Sequence, residues 1–199
     1  MILDNILDDI NGLADFIMLY PWVLLIPVFF IFVRFLIYRR RRRIRQYMMR
    51  RADETLKLLR SMNAKKDGAK MFGIMRSMPP FAFEEMILTA LSDKGFKIKR
   101  NGWYMGDGGL DGQFWIGKTR VLIQAKRYKN HIERLHVEDF CKLCNRYKAK
   151  GIFVHTGRTG KASRAHADDG DNIEIISGQA LFNLFTGRRF VLFGEEYFQ

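Results

Sequence analysis

Hydrophobic and polar positions divide the chain into three stretches of different character. From Phe16 to Val33 no charged residue occurs, and after Arg34 the apolar run resumes through Tyr38. About 20 mostly apolar residues suffice for a helix to cross the hydrocarbon of a bilayer, so 16–38 reads as one transmembrane helix. Pro21 and Pro27 are better tolerated in such a helix than in a soluble one. Arg34 lies close enough to one end for its side chain to snorkel outward.

The second stretch has a helical beat. Ile44, Tyr47, Met48, Leu56, Leu59 and Met62 recur at roughly helical spacing with arginine and lysine between them. This predicts a basic juxtamembrane helix over 44–62. Asn63 to Lys70 (NAKKDGAK) reads as a linker, and Pro79-Pro80 marks the entry to something more regular.

From there the periods alternate between 3.6 and 2. Phe81 to Ser92 carries a helical stripe that Gly95 stops. Phe96 to Lys99 predicts a short strand, followed by the glycine-rich turn Gly106 to Gly109. Leu110 to Ile116 and Thr119 to Tyr128 predict a hairpin around Gly117-Lys118. A helix over 133–148 and a buried strand over 151–156 follow. Helix 161–167, strand 173–176 and helix 179–185 complete the pattern. The expected architecture is α/β, a mixed central sheet flanked by helices, preceded by one transmembrane helix. The division expected is 1–15 as a short acidic tail, 16–38 as the span, 39–78 as juxtamembrane helix and linker, and 79–199 as the folded domain.

Charge adds direction and partners. Residues 1–15 contain Asp4, Asp8, Asp9 and Asp15 and no base, whereas Arg39 to Arg43 are consecutive. A cleaved signal peptide has the opposite front and a small-residue cleavage pattern. The arginines instead hold the C-terminal side in the cytoplasm by the positive-inside rule. The expectation is a single-pass protein of a bacterial inner membrane, in contact with the lipid bilayer through 16–38. Lys plus Arg total 34 against 21 Asp plus Glu in 199 residues, a net charge of +13, which calls for a polyanionic partner. Two cysteines in the whole chain, Cys141 and Cys144, exclude a disulfide scaffold. Without further ligands at zinc spacing, they read as buried thiols.

The hairpin carries the candidate chemistry. Strand alternation places Gln124 and Lys126 on one face and Ala125 on the other, and a hairpin can bring Asp111 beside that pair. A carboxylate, with a backbone carbonyl such as that of Ala125, holds a hard divalent cation through oxygen. The cation activates water and neutralises phosphate charge, while a lysine stabilises the developing charge. This is the equipment of metal-dependent phosphodiester cleavage.

Gly95-Phe96, then GDGGLDG, IQAKRY, KGIFVHTG and IEIISGQAL, together resemble the Mrr-type restriction endonuclease domain of the PD-(D/E)xK nuclease superfamily, over roughly residues 80 to 186. The resemblance implies a restriction-endonuclease-like fold and a type IV restriction endonuclease-like deoxyribonuclease. It implies Asp111 as metal-binding aspartate, and Gln124 with Lys126 as the Q-x-K pair in which glutamine replaces the more usual acid. Glu84 matches the helical glutamate that often completes the site, with Glu85 beside it as the alternative. The implied cofactor is Mg²⁺ or Mn²⁺, with no small-molecule cofactor, and the implied partner is DNA. A homodimer would serve the cutting of both strands.

Candidate DNA contacts are Arg127 and Lys129 beside the catalytic strand. Arg158, Lys161 and Arg164 form a basic cluster at an expected helix N-terminus, placed for phosphates. His155 stands at a strand end, either facing the site or satisfied within the fold. The alternative function is a non-cleaving protein that tethers DNA at the membrane, for plasmid transfer, partition or anchoring. RNA as the substrate is a third reading.

Overall fold

The computed structural model describes residues 18–100, 110–160 and 172–197. The acidic tail 1–15, the glycine-rich turn 106–109 and the expected helix 161–167 lie outside the described residues. The chain divides into two compact units, one up to Gln46 and one from Tyr47 onward.

The expected transmembrane helix is not what the described residues of the first unit form. Residues 16 and 17 lie outside them, and Pro21–Leu24 is a 3-10 turn with proline at its start. The α-helix α1 (Leu25–Ser61) begins only at Leu25. Pro27 falls in its first turn, where the missing N–H has no intrahelical acceptor to lose. The helix meets Arg34 and then five consecutive arginines from Arg39, so no helix among the described residues is long and apolar enough to cross a membrane. Within this unit most apolar side chains from Leu25 to Tyr38, Phe29, Phe30 and Ile31 among them, remain exposed.

The second unit begins earlier than the sequence pattern suggests. Ala52, Leu56 and Leu59 in the last part of α1 are buried. The stretch read as a linker is helical: α2 spans Ala64–Ser77. Asn63 opens it, its carbonyl accepting the N–H groups of Lys66 and Asp67, while the Asp67 carboxylate reaches back to the Asn63 N–H at 2.9 Å. That reciprocal cap offsets the cost of Gly68 in the interior. Met71 and Met75, spaced at one helical turn, are fully buried and give α2 its place in the core.

Helix α3 (Pro80–Asp93) follows at once, with proline at its first position. Strands β1 (Lys97–Arg100), β2 (Gly112–Ile116) and β3 (Thr119–Lys126) form an antiparallel meander. After α4 (Arg134–Tyr147), β4 (Lys150–His155) and β5 (Ile173–Ile176) extend the sheet in parallel, giving the order β1-β2-β3-β4-β5. Helix α5 (Gly178–Phe185) and the hairpin β6 (Phe190–Leu192) and β7 (Glu195–Tyr197) end the described chain. This mixed α/β arrangement is compatible with a restriction-endonuclease-like fold.

The sheet separates two apolar layers. Phe114, Val121, Ile123, Ile152 and Val154 face α2, α3, α5 and the last part of α1. Leu122 and Phe153 face Val137, Phe140 and Cys144 of α4. The strict alternation along β3 decides which of its residues face which layer. At Gly151 a side chain would collide with Cys144 and Phe140, so the absence of one is what lets α4 lie close on β4.

Candidate active site

The C-terminal end of β3, the start of α3 and the residue preceding β2 converge on one cleft of about 300 Å³. Pro80, Phe83, Glu84, Asp111, Gln124, Ala125, Lys126 and Arg127 line it. Gly112 faces Ile123 across the antiparallel ladder, the last pair of its register at this end. The ladder ends there, and side-chain chemistry takes over. The Asp111 N–H donates to the Ile123 carbonyl at 2.9 Å. The Ala125 N–H, past the end of β2, donates to Asp111 Oδ2 at 2.7 Å.

Helical geometry separates the two neighbouring glutamates. Consecutive helical residues point about 100° apart, so the two carboxyl groups meet different surroundings. Glu84 lines it. Glu85 is buried, with its carboxylate on Arg100 Nε of β1 at 2.7 Å. Burial, then the negative charge of Asp111, then that of Glu85, push the Glu84 carboxyl from 4.5 up to about 8, against the pull of Arg127 and Lys126. At neutral pH this side chain holds a proton that a cation would displace.

Gln124 is the most informative member. Its side chain is buried, and its Oε1 is one of two buried polar side-chain atoms among the described residues without a hydrogen-bond partner. An orphaned buried acceptor costs about 1–3 kcal/mol, and Gln124 is a residue of the same cleft as Glu84 and Asp111. Two carboxylates and an amide oxygen are an oxygen donor set for a hard divalent cation. No group of three His, Cys, Asp or Glu that could hold a metal occurs among the described residues, so the amide would have to complete the set.

Other sequence candidates are dispersed. Lys129 and Arg158 are exposed on two loops tied together at the ends of β3 and β4. There the Arg158 N–H donates to the Asn130 carbonyl at 2.9 Å, and the Ile132 N–H to that of Arg158 at 3.1 Å. Gly157 permits this approach, since a side chain there would strike the Asn130 carbonyl and Tyr128. Lys161 and Arg164 lie outside the described residues. Arg127 turns its Nη1 to the main-chain carbonyls of Arg76 and Met78. Pattern reading gave no sign of that contact, because it joins residues about fifty positions apart.

His155 is not among the cleft residues. It is fully buried; its Nδ1 accepts the Gly157 N–H at 3.1 Å, so Nε2 carries the proton and meets Thr159 Oγ1 at 3.0 Å. Burial lowers its pKa from 6.5 to about 4, so it is a neutral, satisfied histidine at physiological pH. Cys144 is likewise buried, and burial with Cys141 nearby pushes its thiol up to about 12.

Comparison with known proteins bears on the family of the domain. A family profile described as "Restriction endonuclease", of the Mrr catalytic type, matches residues 75–185, which is more than half of the chain. The type IV methyl-directed restriction enzyme EcoKMrr of Escherichia coli (strain K12) is 28% identical over 142 residues, covering 67% of this chain and 45% of its own length. The chain thus spans less than half of that relative. Among solved structures, Pyrococcus furiosus SfsA in complex with Ca²⁺ aligns at 15% identity with a TM-score of 0.32, over 48% of this chain and 54% of that one. A likeness that low carries no weight for fold or function.

Proposed function

Because the chain belongs to the Mrr-type restriction endonuclease family, we propose that its cleft hydrolyses DNA phosphodiester bonds with a divalent cation, Mg²⁺ or Mn²⁺. The observation that carries this reading is the unpartnered side-chain oxygen of Gln124, a residue that lines one cleft with Glu84, Asp111 and Lys126. A pure DNA tether has no use for a buried acceptor left without a donor. Asp111, Glu84 and Gln124 would hold the cation, with the Ala125 main-chain carbonyl as a further ligand. Bound there, the cation would supply Lewis acidity and a more acidic water.

The remaining steps belong to the chain itself. The Ala125 N–H fixes the Asp111 carboxylate in place before substrate arrives. Lys126, half-buried at the mouth, offers an ammonium to the attacking water and to the charge that grows on the phosphate oxygens in the transition state. The Glu84 carboxyl, protonated at neutral pH, would have to release that proton to solvent before it could serve as a ligand. Lys129 and Arg158, on their joined loops, would take the flanking phosphates, with Lys161 and Arg164 further along the same segment. A homodimer would let two such centres cut both strands.

Attachment of this nuclease to a bilayer is a further part of the reading. Most apolar side chains from Leu25 to Tyr38 are exposed, and arginines follow them directly. Such a segment partitions into the interface of an anionic membrane. The nuclease domain would then work on the cytoplasmic face of a bacterial inner membrane.

One experiment tests the cleavage reading. The full-length chain in mild detergent is incubated with supercoiled plasmid in Mg²⁺, Mn²⁺ or EDTA, beside Asp111→Ala and Lys126→Ala. Nicking that needs the cation and both side chains is the expected result. Retarded DNA with no cleavage under any cation would instead establish the tether. Flotation of the chain with anionic but not neutral vesicles checks the membrane part.

A further inference from the structure

Two arginines interlock behind the cleft. Arg127 directly follows Lys126, and its Nη1 donates to the main-chain carbonyls of Arg76, at 3.0 Å, and of Met78. Arg76 in turn sends Nη2 and Nε to the Thr156 carbonyl, at 2.7 and 3.3 Å. Thr156 closes the ring: its N–H donates to the Lys126 carbonyl at 3.3 Å and its hydroxyl to the Tyr128 carbonyl at 3.0 Å.

The physics of this ring is that of a helix end. The last carbonyls of a helix have no intrahelical donor and carry the negative end of its dipole. A guanidinium can bridge two such carbonyls in a fixed geometry, which an ammonium does poorly. The carbonyls chosen belong to the last turn of α2 and to Met78, immediately before the Pro79-Pro80 junction. Helix α3 starts there, with the Phe83 N–H on the Pro79 carbonyl at 3.1 Å, and Glu84 is the next residue. One side chain therefore joins the strand end that carries Lys126 to the helix start that carries Glu84. Arg127 is half-buried, whereas Lys129 two residues later is exposed.

The geometry points to Arg127 as a positioning residue: by holding the α2–α3 junction against the end of β3, it sets the Glu84 carboxylate beside Asp111 and Gln124 and so fits the cleft for a divalent cation. This assigns Arg127 to the centre's internal scaffold instead of to DNA. It rests on the reading of the cleft as a nuclease centre.

The test measures Mn²⁺ uptake by the full-length chain, from the loss of the free-ion paramagnetic resonance signal. DNA affinity is measured separately in EDTA over a range of salt. Arg127→Met is expected to lose about 10–100-fold in Mn²⁺ affinity, the usual cost of removing a group that orients metal ligands. Its DNA affinity in EDTA and its salt dependence should match the wild type. Arg127→Lys and Arg76→Lys should lose Mn²⁺ affinity to a smaller extent. If Arg127→Met binds Mn²⁺ like the wild type but binds DNA more weakly, with a salt slope lower by about one, Arg127 is a phosphate contact and the proposal falls. Should Arg127→Met not fold, unchanged Mn²⁺ affinity in both lysine variants overturns it equally. A wild-type chain that takes up no Mn²⁺ overturns the nuclease reading along with the proposal, an outcome distinct from uptake that the variants retain.

Discussion

The carboxylate of Asp111 accepts the main-chain N–H of Ala125 at 2.7 Å, replacing the backbone partner that β2 no longer supplies. Asp111 thus has two duties, one structural and one chemical, and they can be separated. Asp111→Asn keeps an acceptor for Ala125 and should retain the wild-type urea midpoint while losing cleavage. Asp111→Ala leaves that N–H without its partner and should cost an additional ~1–3 kcal/mol. Urea unfolding of the two variants side by side, with a plasmid assay, checks both halves.

Cation binding should compete with a proton on Glu84. Its folded pKa is raised to about 8, so below that value each bound cation expels close to one proton. The apparent Mn²⁺ affinity should rise about tenfold per pH unit up to pH 8 and then level off. Calorimetric titration in buffers of different ionisation enthalpy counts the proton. Glu84→Gln should bind more weakly and without that pH slope; a slope unchanged in this variant refutes the assignment.

Acid should weaken the fold through His155. Its folded pKa, about 4, lies below the ordinary 6.5, so the unfolded chain takes the proton first. The contribution to stability is complete above about pH 6.5, is lost as pH falls toward 4, and changes no further below that. The shift corresponds to at most about 3 kcal/mol. Comparing urea midpoints at pH 7.5 and 5 for the wild type and His155→Gln isolates the effect, because Glu84 contributes equally to both chains. The variant should be less stable at pH 7.5 and should lose less on acidification.

Lys129 and Arg158 should show themselves through salt. If each meets one phosphate, replacing either by alanine lowers the slope of log affinity against log salt by about one, with little regard to DNA sequence. Fluorescence anisotropy in EDTA at several salt concentrations reads this directly. An unchanged slope in both variants removes the joined loops from the DNA interface.

Much of the fold was legible because the periods are clean. The hairpin around Gly117-Lys118, α4 and β4 all lie within two residues of where alternation and helical spacing set them. Strand parity sets Gln124 and Lys126 on one side and the hairpin offers Asp111 beside them, and the structure brings all three residues to one cleft with Glu84. Residues 63–70 misled because composition cannot reveal that Asn63 and Asp67 cap each other, nor that Met71 and Met75 await a buried surface. The β6–β7 hairpin escaped notice for another reason: its three-residue strands turn at Phe193-Gly194, with Phe193 at φ +48° held by the Glu174 carboxylate. Choosing between Glu84 and Glu85 needed Arg100, which no local pattern connects to either.

Glu84 comes from a helix, Asp111 from the residue before one strand, and Gln124 from the strand beside it. No short peptide of the chain contains the centre; the three residues come to line one cleft only when α3 settles on the β2–β3 hairpin. On the proposed reading, a chain still emerging from the ribosome is harmless to nearby DNA until long-range contacts close. The hazard of making such an enzyme is therefore deferred to the moment folding is complete, and heating should abolish cutting together with tertiary structure, leaving no partly unfolded species that still cleaves.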